Sequence, residues 1–597
     1  METFVKKILK MAALLGGLGS MCSPALAQYT ATVNANTQYQ TFEGFGTTLS
    51  WWANGVGSWA DPTRSALVDA LFAPAPAGLG LTYARYNIGG GDCPTCNTIQ
   101  YPHAVPGYQL QPNGAFDWNA DAEQRWVAQR AYAKGAVFLE AHSNSPPWWM
   151  TVSGSSTGST DATSSNMNDA YTGSGANTFP SYLATVVGHF ASSYGLTFRH
   201  VDPFNEPDTS WWKYGSTKQE GAAMTPAQEA TIIQNLATLL PASSPKTSIA
   251  AMDGYNIDHT VSIFNGYSAA TKAAMTEVNT HTYEGSQRTQ LAAAAKAAGK
   301  RLVMSEWGSA ETSGKSLSQQ ITNDIRNLKP AAWAIWQPDW PTLMNIDYTN
   351  HTYSINKNYY IYANYTRYLK PGSVFIDIND GNSLATYEGR SKTLTIVTTN
   401  WGTAAVPVTY ALSNFTSLGS SARGFRTSAS QNLADIGTVA VSGGGFTASL
   451  PAGSVTTWVI ANANYAPAAS SVNDSSFTYS TSNCGASWCN GSQTGAYGAQ
   501  NSWSSQLNST YSLTFSGTQA RVYGALAPNQ GIAAFSVDGG AETDVDLYAA
   551  TRSDNVLTYV TPTLAAGTHT IKVRVTGLKN YNATSVIVQA DRVDVVN

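Results

Sequence analysis

Strand-like apolar runs alternate with helical segments over residues 42–336 of this chain. The eight runs are 42–47, 81–86, 137–142, 200–204, 248–253, 277–283, 301–305 and 331–336. Alanine-rich segments such as 120–134 and 225–240 favour helices between them. Eight strand–helix units predict a (β/α)8 barrel with inserted loops. The alternative is an open doubly wound sheet with a glycine-rich phosphate loop after its first strand. Gly44-Phe45-Gly46 is not followed by a third glycine at the right spacing, so the barrel is favoured.

The segments on either side of the predicted barrel have the alternating pattern of antiparallel strands. Residues 28–40 and 368–463 predict a β-sandwich side domain, which is attached to both ends of a barrel at 41–367. Residues 464–471 are rich in Ala, Asn, Pro and Ser, which is typical of a linker. Residues 472–597 have turn residues at short, regular intervals and predict a β jelly-roll module. The expected fold class is therefore α/β, with a TIM barrel, a β-sandwich and a C-terminal jelly roll.

The N-terminus has the pattern of a secretory signal peptide. Lys6, Lys7 and Lys10 form a basic region, 11–18 is a short apolar stretch, and Ala25-Leu26-Ala27 is a cleavage site. Residues 1–27 are therefore predicted to be removed, and the mature protein is predicted to be secreted. We expect no association with a membrane, because no apolar run is long enough to span one.

Four cysteines follow the cleavage site, in two close pairs. In an exported protein we expect a local disulfide between Cys93 and Cys96 and another between Cys484 and Cys489. A zinc site would need four converging ligands, and the two pairs lie in different predicted domains. No cluster of His, Cys and carboxylates has ligand spacing, so the sequence predicts no such metal site and no cofactor. Calcium bound by loops of residues 472–597 stays an open alternative.

Charge and aromatic content narrow the class of partner. The formal net charge is -4 and there is no basic run to neutralise phosphates, which argues against nucleic acid. Aromatic residues make up 11% of the chain, with 17 Trp and 31 Tyr. Because the apolar C–H face of a pyranose stacks on aromatic rings, this excess favours a sugar-binding surface.

Two glutamates, Glu206 and Glu306, follow the fourth and seventh predicted strands. The C-terminal ends of barrel strands form the active face, so these two side chains are expected to face each other across one opening. Paired carboxylates of this kind hydrolyse glycosidic bonds, and a separation of about 5–5.5 Å gives retention of configuration. Asn205-Glu206-Pro207 alone would also suit the first turn of a helix. Its position after a predicted strand is what favours a catalytic role for Glu206.

The chain resembles glycoside hydrolase clan A and, more narrowly, glycoside hydrolase family 30. The resemblance rests on Gly44-Phe45-Gly46, Ser145-Pro146-Pro147-Trp148-Trp149-Met150, Phe204-Asn205-Glu206-Pro207 and Met304-Ser305-Glu306-Trp307-Gly308. A β-sandwich attached to both ends of the barrel is also that family's layout. Trp211-Trp212-Lys213 and Gln219-Glu220-Gly221 are similar to the endo-β-1,6-galactanases of the family. The C-terminal module lies outside the resemblance and is only loosely similar to galactose-binding-like jelly rolls.

The chemistry and the resemblance together imply roles for the residues of the site. Glu306 is expected to be the nucleophile, and Glu206 the acid that protonates the leaving oxygen and then the base that deprotonates water. Arg85 is expected to keep Glu306 ionised, and Asn205 to bind the substrate 2-hydroxyl. Tyr283, in the motif His281-Thr282-Tyr283, is expected to donate a hydrogen bond to Glu306. Of the tryptophans after strand ends, Trp149, Trp212 and Trp336 are predicted to contact sugar.

The leading hypothesis is a secreted, retaining endo-β-1,6-galactanase that acts on the side chains of arabinogalactan, with a carbohydrate-binding C-terminal module. One alternative keeps the mechanism but changes the substrate to β-1,6-glucan or glucuronoxylan, or makes the enzyme an exo-acting galactosidase or galactobiohydrolase. A more distant alternative is a non-catalytic sugar-binding protein. The expected partner is a polysaccharide, and the low charge and separate domains are compatible with a monomer.

Overall fold

The computed structural model describes residues 28–95, 99–161, 163–340, 342–465 and 467–597. The predicted signal peptide at 1–27 lies outside the described residues. None of the helices that the structure describes is long and apolar enough to cross a membrane.

Eight parallel strands, β2–β9, close into a barrel in which β9 pairs with β2. They are β2 (Gly44–Thr48), β3 (Tyr83–Asn87), β4 (Phe138–His142), β5 (His200–Asp202), β6 (Ser248–Asn256), β7 (Glu277–Glu284), β8 (Arg301–Glu306) and β9 (Ala332–Ile335). Each overlaps one of the eight predicted runs, so the predicted barrel is confirmed. The strands consist almost wholly of buried residues, as expected for a parallel sheet covered on both faces.

Helices connect the barrel strands and form an outer layer. They are α1 (Trp52–Gly57), α2 (Thr63–Phe72), α3 (Ala122–Lys134), α4 (Phe179–His189), α5 (Pro226–Ser243), α6 (Ile257–Gly266), α7 (Ala269–Ala274), α8 (Arg288–Ala297), α9 (Lys315–Asn323) and α10 (Lys357–Thr366). The predicted helices at 120–134 and 225–240 correspond to α3 and α5. α5 begins sharply because Thr225 and Gln228 form a reciprocal capping box and Pro226 occupies the first helical position. After β9, the hairpin of β10 (Met344–Asp347) and β11 (Thr352–Ile355) precedes α10.

The side domain is a nine-stranded sheet that includes the first strand of the described chain. Its strands are β1 (Tyr29–Thr41), β12 (Val374–Ile378), β13 (Ser383–Glu388), β14 (Thr393–Asn400), β15 (Val406–Ser413), β16 (Ser421–Thr427), β17 (Ala434–Ala440), β18 (Gly445–Leu450) and β19 (Ser454–Ile460). β1 pairs with β12 and β15, which brings both ends of the barrel segment to this sheet. The sheet folds over on itself, because the ring of Phe446 on the edge strand β18 lies 5.4 Å from Trp458 on β19.

The C-terminal module consists of antiparallel sheets. Its strands are β20 (Ala469–Asn473), β21 (Thr478–Tyr479), β22 (Cys489–Ser492), β23 (Gln500–Ser504), β24 (Thr510–Gly517), β25 (Gln519–Leu526), β26 (Ile532–Val537), β27 (Thr543–Asp546), β28 (Ser553–Val560), β29 (Gly567–Val575), β30 (Val588–Ala590) and β31 (Arg592–Val596). The two larger sheets share one core, in which Phe535 of β26 stacks on Tyr559 of β28 with ring centroids 4.6 Å apart.

The cysteine predictions have different outcomes. Cys484 and Cys489 form the predicted disulfide, with their Cα atoms 4.3 Å apart. Cys93 is also disulfide-bonded, but its predicted partner, Cys96, lies outside the described residues.

The C-terminal module packs directly against the N-terminal end of the barrel. Ile532 and Leu578 of the module share a buried cluster with Tyr83, Phe138 and Val303 of the barrel strands. Asp544 of the module lies 3.2 Å from Arg301 Nη2 and 3.5 Å from Arg199 Nη1. The module therefore closes the end of the barrel opposite the face at which the strands end.

Candidate active site

Glu206 and Glu306 meet at the C-terminal end of the barrel, as the sequence predicts. Glu306 is the last residue of β8, and Glu206 lies four residues beyond β5. One carboxylate oxygen of each and a ring nitrogen of His281 all lie within 4.8 Å of one another. Both glutamates are buried, with 7% of Glu206 and 4% of Glu306 exposed. The arrangement is a close carboxylate pair that is largely removed from water.

Glu306 has the partners that the sequence predicts for it. Tyr283 Oη donates a hydrogen bond to Glu306 Oε1 at 3.1 Å. Arg85 Nη1 lies 3.6 Å from Glu306 Oε2. Arg85 makes closer ion pairs with two other buried carboxylates, at 2.9 Å to Glu140 and 2.5 Å to Asp253. The guanidinium is therefore fixed from several sides while its charge reaches Glu306.

Glu206 is held in an unusual backbone conformation. Its φ of 49° lies in the left-handed region, which few residues other than glycine adopt. Its N–H donates to Asp253 O at 2.9 Å, and its carbonyl accepts hydrogen bonds from Trp212 Nε1 at 3.0 Å and Thr209 Oγ1 at 2.9 Å. These three bonds fix the direction in which the carboxylate points.

His281 connects the two glutamates to Asp253. Its Nδ1 lies 3.1 Å from Glu206 Oε1 and 3.7 Å from Glu306 Oε1, and its Nε2 lies 3.2 Å from Asp253 Oδ1. Burial alone would lower the pKa of His281, but the charges of Glu306 and Asp253 and the hydrogen bonds to Asp253 and Glu206 raise it well above the ordinary value. The raised pKa favours the imidazolium form, whose Nδ1–H donates to Glu206 Oε1 while Nε2 makes an ionic contact with Asp253.

Burial raises the pKa of both glutamates above the ordinary value. For Glu206, the hydrogen bond from His281 opposes this effect; for Glu306, the charges of His281 and Arg85 oppose it and the charge of Glu206 adds to it. Two carboxylates this close cannot both ionise easily, so the pair shares a proton over a range of pH. Arg85 and Tyr283 contact Glu306 and not Glu206, which favours the negative charge on Glu306, whereas the hydrogen bond from His281 favours it on Glu206.

Polar atoms without a protein partner are buried around the pair. Asn205 Oδ1 and both side-chain polar atoms of Asn144 have no hydrogen-bond partner among the described residues. Asn205 directly precedes Glu206, and the sequence predicts it to bind a substrate hydroxyl. Asn144 lies two residues beyond β4 and was not predicted. Because buried amides without partners are costly, both are suited to bind sugar hydroxyls.

The three tryptophans predicted to contact sugar are mostly buried. Trp149 is 8% exposed and donates from Nε1 to Gln109 O, and Trp336 is 8% exposed and packs edge-on against Trp51. Trp212 is 5% exposed and supports the Glu206 carbonyl. Sugar contact by these rings stays a prediction. The exposed indoles are Trp211, at 48%, and Trp340, at 42%. An irregular loop has no period from which sequence reasoning could have distinguished Trp211 from Trp212.

Two groups in the described part of the chain bring three His or carboxylate side chains close enough for a metal ion. They are Glu140, His200 and Glu277, and Glu206, His281 and Glu306. Arg85 lies beside both Glu140 and Glu306, and Arg199 and Arg301 lie beside Glu277. Since these guanidinium groups already neutralise the carboxylates, neither of the two sets of side chains is suited to bind a cation.

A buried carboxylate pair at the strand ends of a barrel is the machinery of an O-glycosyl hydrolase. Comparison with known proteins agrees, because the sequence profile of O-glycosyl hydrolase family 30 matches residues 28–364. The chain therefore belongs to O-glycosyl hydrolase family 30.

The chain is also similar to individual enzymes whose activities are known. The chain is 31% identical over 424 residues to an endo-β-1,6-galactanase of Hypocrea rufa, covering 66% of this chain and 86% of that protein. It is 26% identical over 417 residues to an exo-β-1,6-galactobiohydrolase of Bifidobacterium longum subsp. longum, covering 51% of this chain and 27% of that protein. Its fold is similar to that of a family 30 subfamily 8 xylanase from Clostridium acetobutylicum. That match has a TM-score of 0.56 and 20% identity, and covers 72% of this chain and 99% of the xylanase.

Proposed function

We propose that the chain is a secreted, retaining endo-β-1,6-galactanase that hydrolyses β-1,6-galactan side chains of arabinogalactan. The observation that carries the mechanism is the closeness of the two glutamates, because one carboxylate oxygen of each lies within 4.8 Å of one oxygen of the other. Retaining glycosidases have carboxyl groups about 5–5.5 Å apart, whereas inverting enzymes leave about 6.5–9.5 Å for a water molecule. The separation therefore favours a covalent intermediate.

In the first step Glu306 attacks the anomeric carbon while Glu206 protonates the departing glycosidic oxygen. The bond from Glu306 to the sugar removes a negative charge beside Glu206, which favours ionisation of Glu206. Glu206, now ionised, then removes a proton from the water that attacks the same carbon. His281 donates to Glu206 Oε1, which leaves the other oxygen of that carboxyl to carry the transferred proton.

The substrate part of the proposal is supported by the similarity to the Hypocrea rufa endo-β-1,6-galactanase, of which this chain covers 86%. Exposed tryptophans at two places around the opening are compatible with a polymer that extends in both directions. A second candidate is an exo-acting galactobiohydrolase, which the similarity to the Bifidobacterium longum protein favours. Export through the signal peptide at 1–27 and a carbohydrate ligand for the C-terminal module belong to the same proposal.

The test is a product profile on de-arabinosylated arabinogalactan, with xylan and β-1,6-glucan in parallel. A ladder of galacto-oligosaccharides from the first substrate alone is the expected result, and NMR should show the β-anomer as the first product. Galactobiose as the only product would replace the endo-acting proposal with the second candidate. Cleavage of xylan or β-1,6-glucan alone would contradict the proposed substrate.

Glu306→Gln should abolish this activity, because an amide cannot attack the anomeric carbon, while the unfolding midpoint changes little. Glu206→Ala should restrict turnover to substrates with good leaving groups, and added azide should restore it by forming a β-glycosyl azide. Full activity of Glu306→Gln would contradict the assigned mechanism.

A further inference from the structure

Aromatic side chains line the catalytic opening on two sides, and the two sides differ in exposure. The open bank consists of Trp211, Tyr255 and Tyr283, from the loop after β5 and from the ends of β6 and β7. Trp211 is 48% exposed, and its ring lies edge-on to Tyr255 with centroids 4.6 Å apart. Tyr255 stacks on Tyr283 at 5.1 Å. The open bank thus runs from the partner of Glu306 out to solvent.

The closed bank lies where β9 meets β2 and consists of Trp51, His103 and Trp336. Trp51 stacks on His103 with centroids 4.1 Å apart and meets Trp336 edge-on at 5.1 Å. Only 7% of Trp51 and 8% of Trp336 are exposed. The strand order places β9 and β2 on the opposite side of the barrel from β5 and β6.

The chemistry makes different demands on the two sides. The sugar that becomes bonded to Glu306 passes through a positively charged transition state, which is best held where water is excluded. The leaving group must depart, and water must enter in its place, so its binding surface has to be open to solvent. Glu206, which protonates the leaving oxygen, lies on the same loop as Trp211, five residues earlier. The open bank is therefore on the leaving-group side.

The position of Trp211 is fixed before any sugar binds. The next residue, Trp212, donates from Nε1 to Glu206 O at 3.0 Å and accepts a hydrogen bond from Ser159 N at 3.2 Å. A side chain at Gly158 would overlap the Trp212 backbone, so the loops after β4 and β5 are in close contact here. The exposed indole is thus attached to the segment that orients the acid, which gives a preorganised surface.

We infer that Trp211, supported edge-on by Tyr255, stacks against the leaving-group galactose and so sets the preference for an oligosaccharide or polymer leaving group. The inference rests on the proposed roles of Glu206 and Glu306. As the bond between C1 and the glycosidic oxygen breaks and the bond from Glu306 to C1 forms, the Glu206 proton passes to that oxygen. The freed galactose then leaves the Trp211 face. Water enters at the same place, and its oxygen bonds to C1 as the bond from Glu306 to C1 breaks, while its proton passes to Glu206 and Glu306 is released as a carboxylate. The axial O4 of galactose leaves a continuous C–H patch that suits an indole.

The experiment compares Trp211→Ala with the wild type on two substrates that share the donor sugars. One is a β-1,6-galacto-oligosaccharide; the other is the matching glycosyl fluoride, whose leaving group is too small to reach Trp211. We expect kcat/KM on the oligosaccharide to fall about 10- to 100-fold, because a stacked ring is lost. On the fluoride, kcat/KM should fall less than about threefold. Transfer from the fluoride to added galactose, relative to water, should fall in parallel, and Trp211→Phe should restore part of it.

Trp340→Ala is the matched control, since it removes a similarly exposed indole that packs over Gly308, two residues after Glu306. Trp340→Ala should change kcat/KM on the oligosaccharide and on the fluoride in the same proportion. Equal losses on both substrates for Trp211→Ala, or no loss on either, would overturn the inference. Failure of the proposed function would show differently, as a wild-type enzyme that cleaves another glycan. The same two-substrate comparison can then be made with that glycan and its fluoride.

Discussion

Asp253 is the residue through which one charge acts on both glutamates. Its buried carboxylate lies 2.5 Å from Arg85 Nη2, 3.2 Å from His281 Nε2 and 2.5 Å from Ser305 Oγ. Arg85 in turn reaches Glu306, and His281 reaches Glu206. Although burial raises it, the charges of Arg85 and His281 hold the pKa of Asp253 well below its ordinary value. Asp253 is therefore a permanent anion and a positioning residue of the site.

Replacing that anion should shift the pH dependence of hydrolysis. The charge of Asp253 raises the pKa of Glu206, of Glu306 and of His281. Asp253→Asn removes the charge, so all three pKa values fall. Glu306, the proposed nucleophile, then ionises at lower pH, and Glu206, the proposed acid, loses its proton at lower pH. We expect both limbs of the bell-shaped plot of kcat/KM against pH to move to lower pH by about one unit.

Ser305→Ala is the control for that shift, because it removes a hydrogen bond to Asp253 and leaves the charge in place. It should lower kcat/KM without moving either limb. A pH profile of kcat/KM that is unchanged in Asp253→Asn, or that moves to higher pH, would contradict the proposal that the charge of Asp253 raises the pKa values of the two glutamates.

Residues of the site that lie at strand ends could be predicted from the sequence. Contacts that depend on side-chain orientation could not. Glu206, Glu306 and Tyr283 could be predicted because a barrel brings its strand ends to one face. Asp253 ends a predicted run, yet its partners lie on three other strands, and no spacing in the sequence shows that they converge. Trp211 and Trp212 are adjacent in an irregular loop, so their opposite exposures could not be predicted.

At the scale of elements, the loops after β3, β4 and β5 are interlocked at the catalytic face. Glu220, in the loop after β5, is fully buried and accepts hydrogen bonds from Gly90 N at 2.8 Å, Gly91 N at 3.0 Å and Asn87 Nδ2 at 3.2 Å. Asn87 Oδ1 in turn accepts a hydrogen bond from Asn144 N, in the loop after β4. One carboxylate thus connects three loops, whereas the apolar runs that predict the strands carry no information about such loop contacts.

Removing this carboxylate should destabilise the protein and loosen the site. Glu220→Ala leaves three buried donors without an acceptor, and the free energy of unfolding should fall by about 2–4 kcal/mol. Urea unfolding measures the loss, and KM should rise because Asn144 loses its support. Glu284→Ala, at an exposed glutamate, is the control and should change stability by less than about 0.5 kcal/mol. Equal stability of the two variants would show that Glu220 does not connect the loops.

At the scale of the whole molecule, the C-terminal module is integrated with the barrel. Asp544 N donates to Glu43 Oε1 at 2.9 Å, and Glu43 forms an ion pair with Arg199 at 2.7 Å. Gln519 of the module donates to Gln38 of β1 at 2.8 Å. The composition of 464–471 predicts a linker, and β20 begins within it, at Ala469. Composition predicts that such a segment is exposed, but it does not predict where the next module packs.

If the module closes the barrel, a substitution inside the module should lower the temperature at which the barrel loses its hydrolytic activity. Ile532→Asp places a charge in the buried cluster with Tyr83, Phe138 and Val303, where loss of hydration is costly. We expect thermal inactivation of hydrolysis to move down by about 2–4 °C, since a cost of about 3 kcal/mol shifts Tm by that order when the barrel and the module unfold as one large unit. Thr514→Asp puts the same charge at an exposed position of the module and should leave the inactivation temperature within about 1 °C of the wild type. An appended module that only binds sugar would unfold alone in Ile532→Asp. Calorimetry would then show one transition lowered, while the activity of the barrel persisted to the wild-type temperature, and that result would contradict a role in closing the barrel.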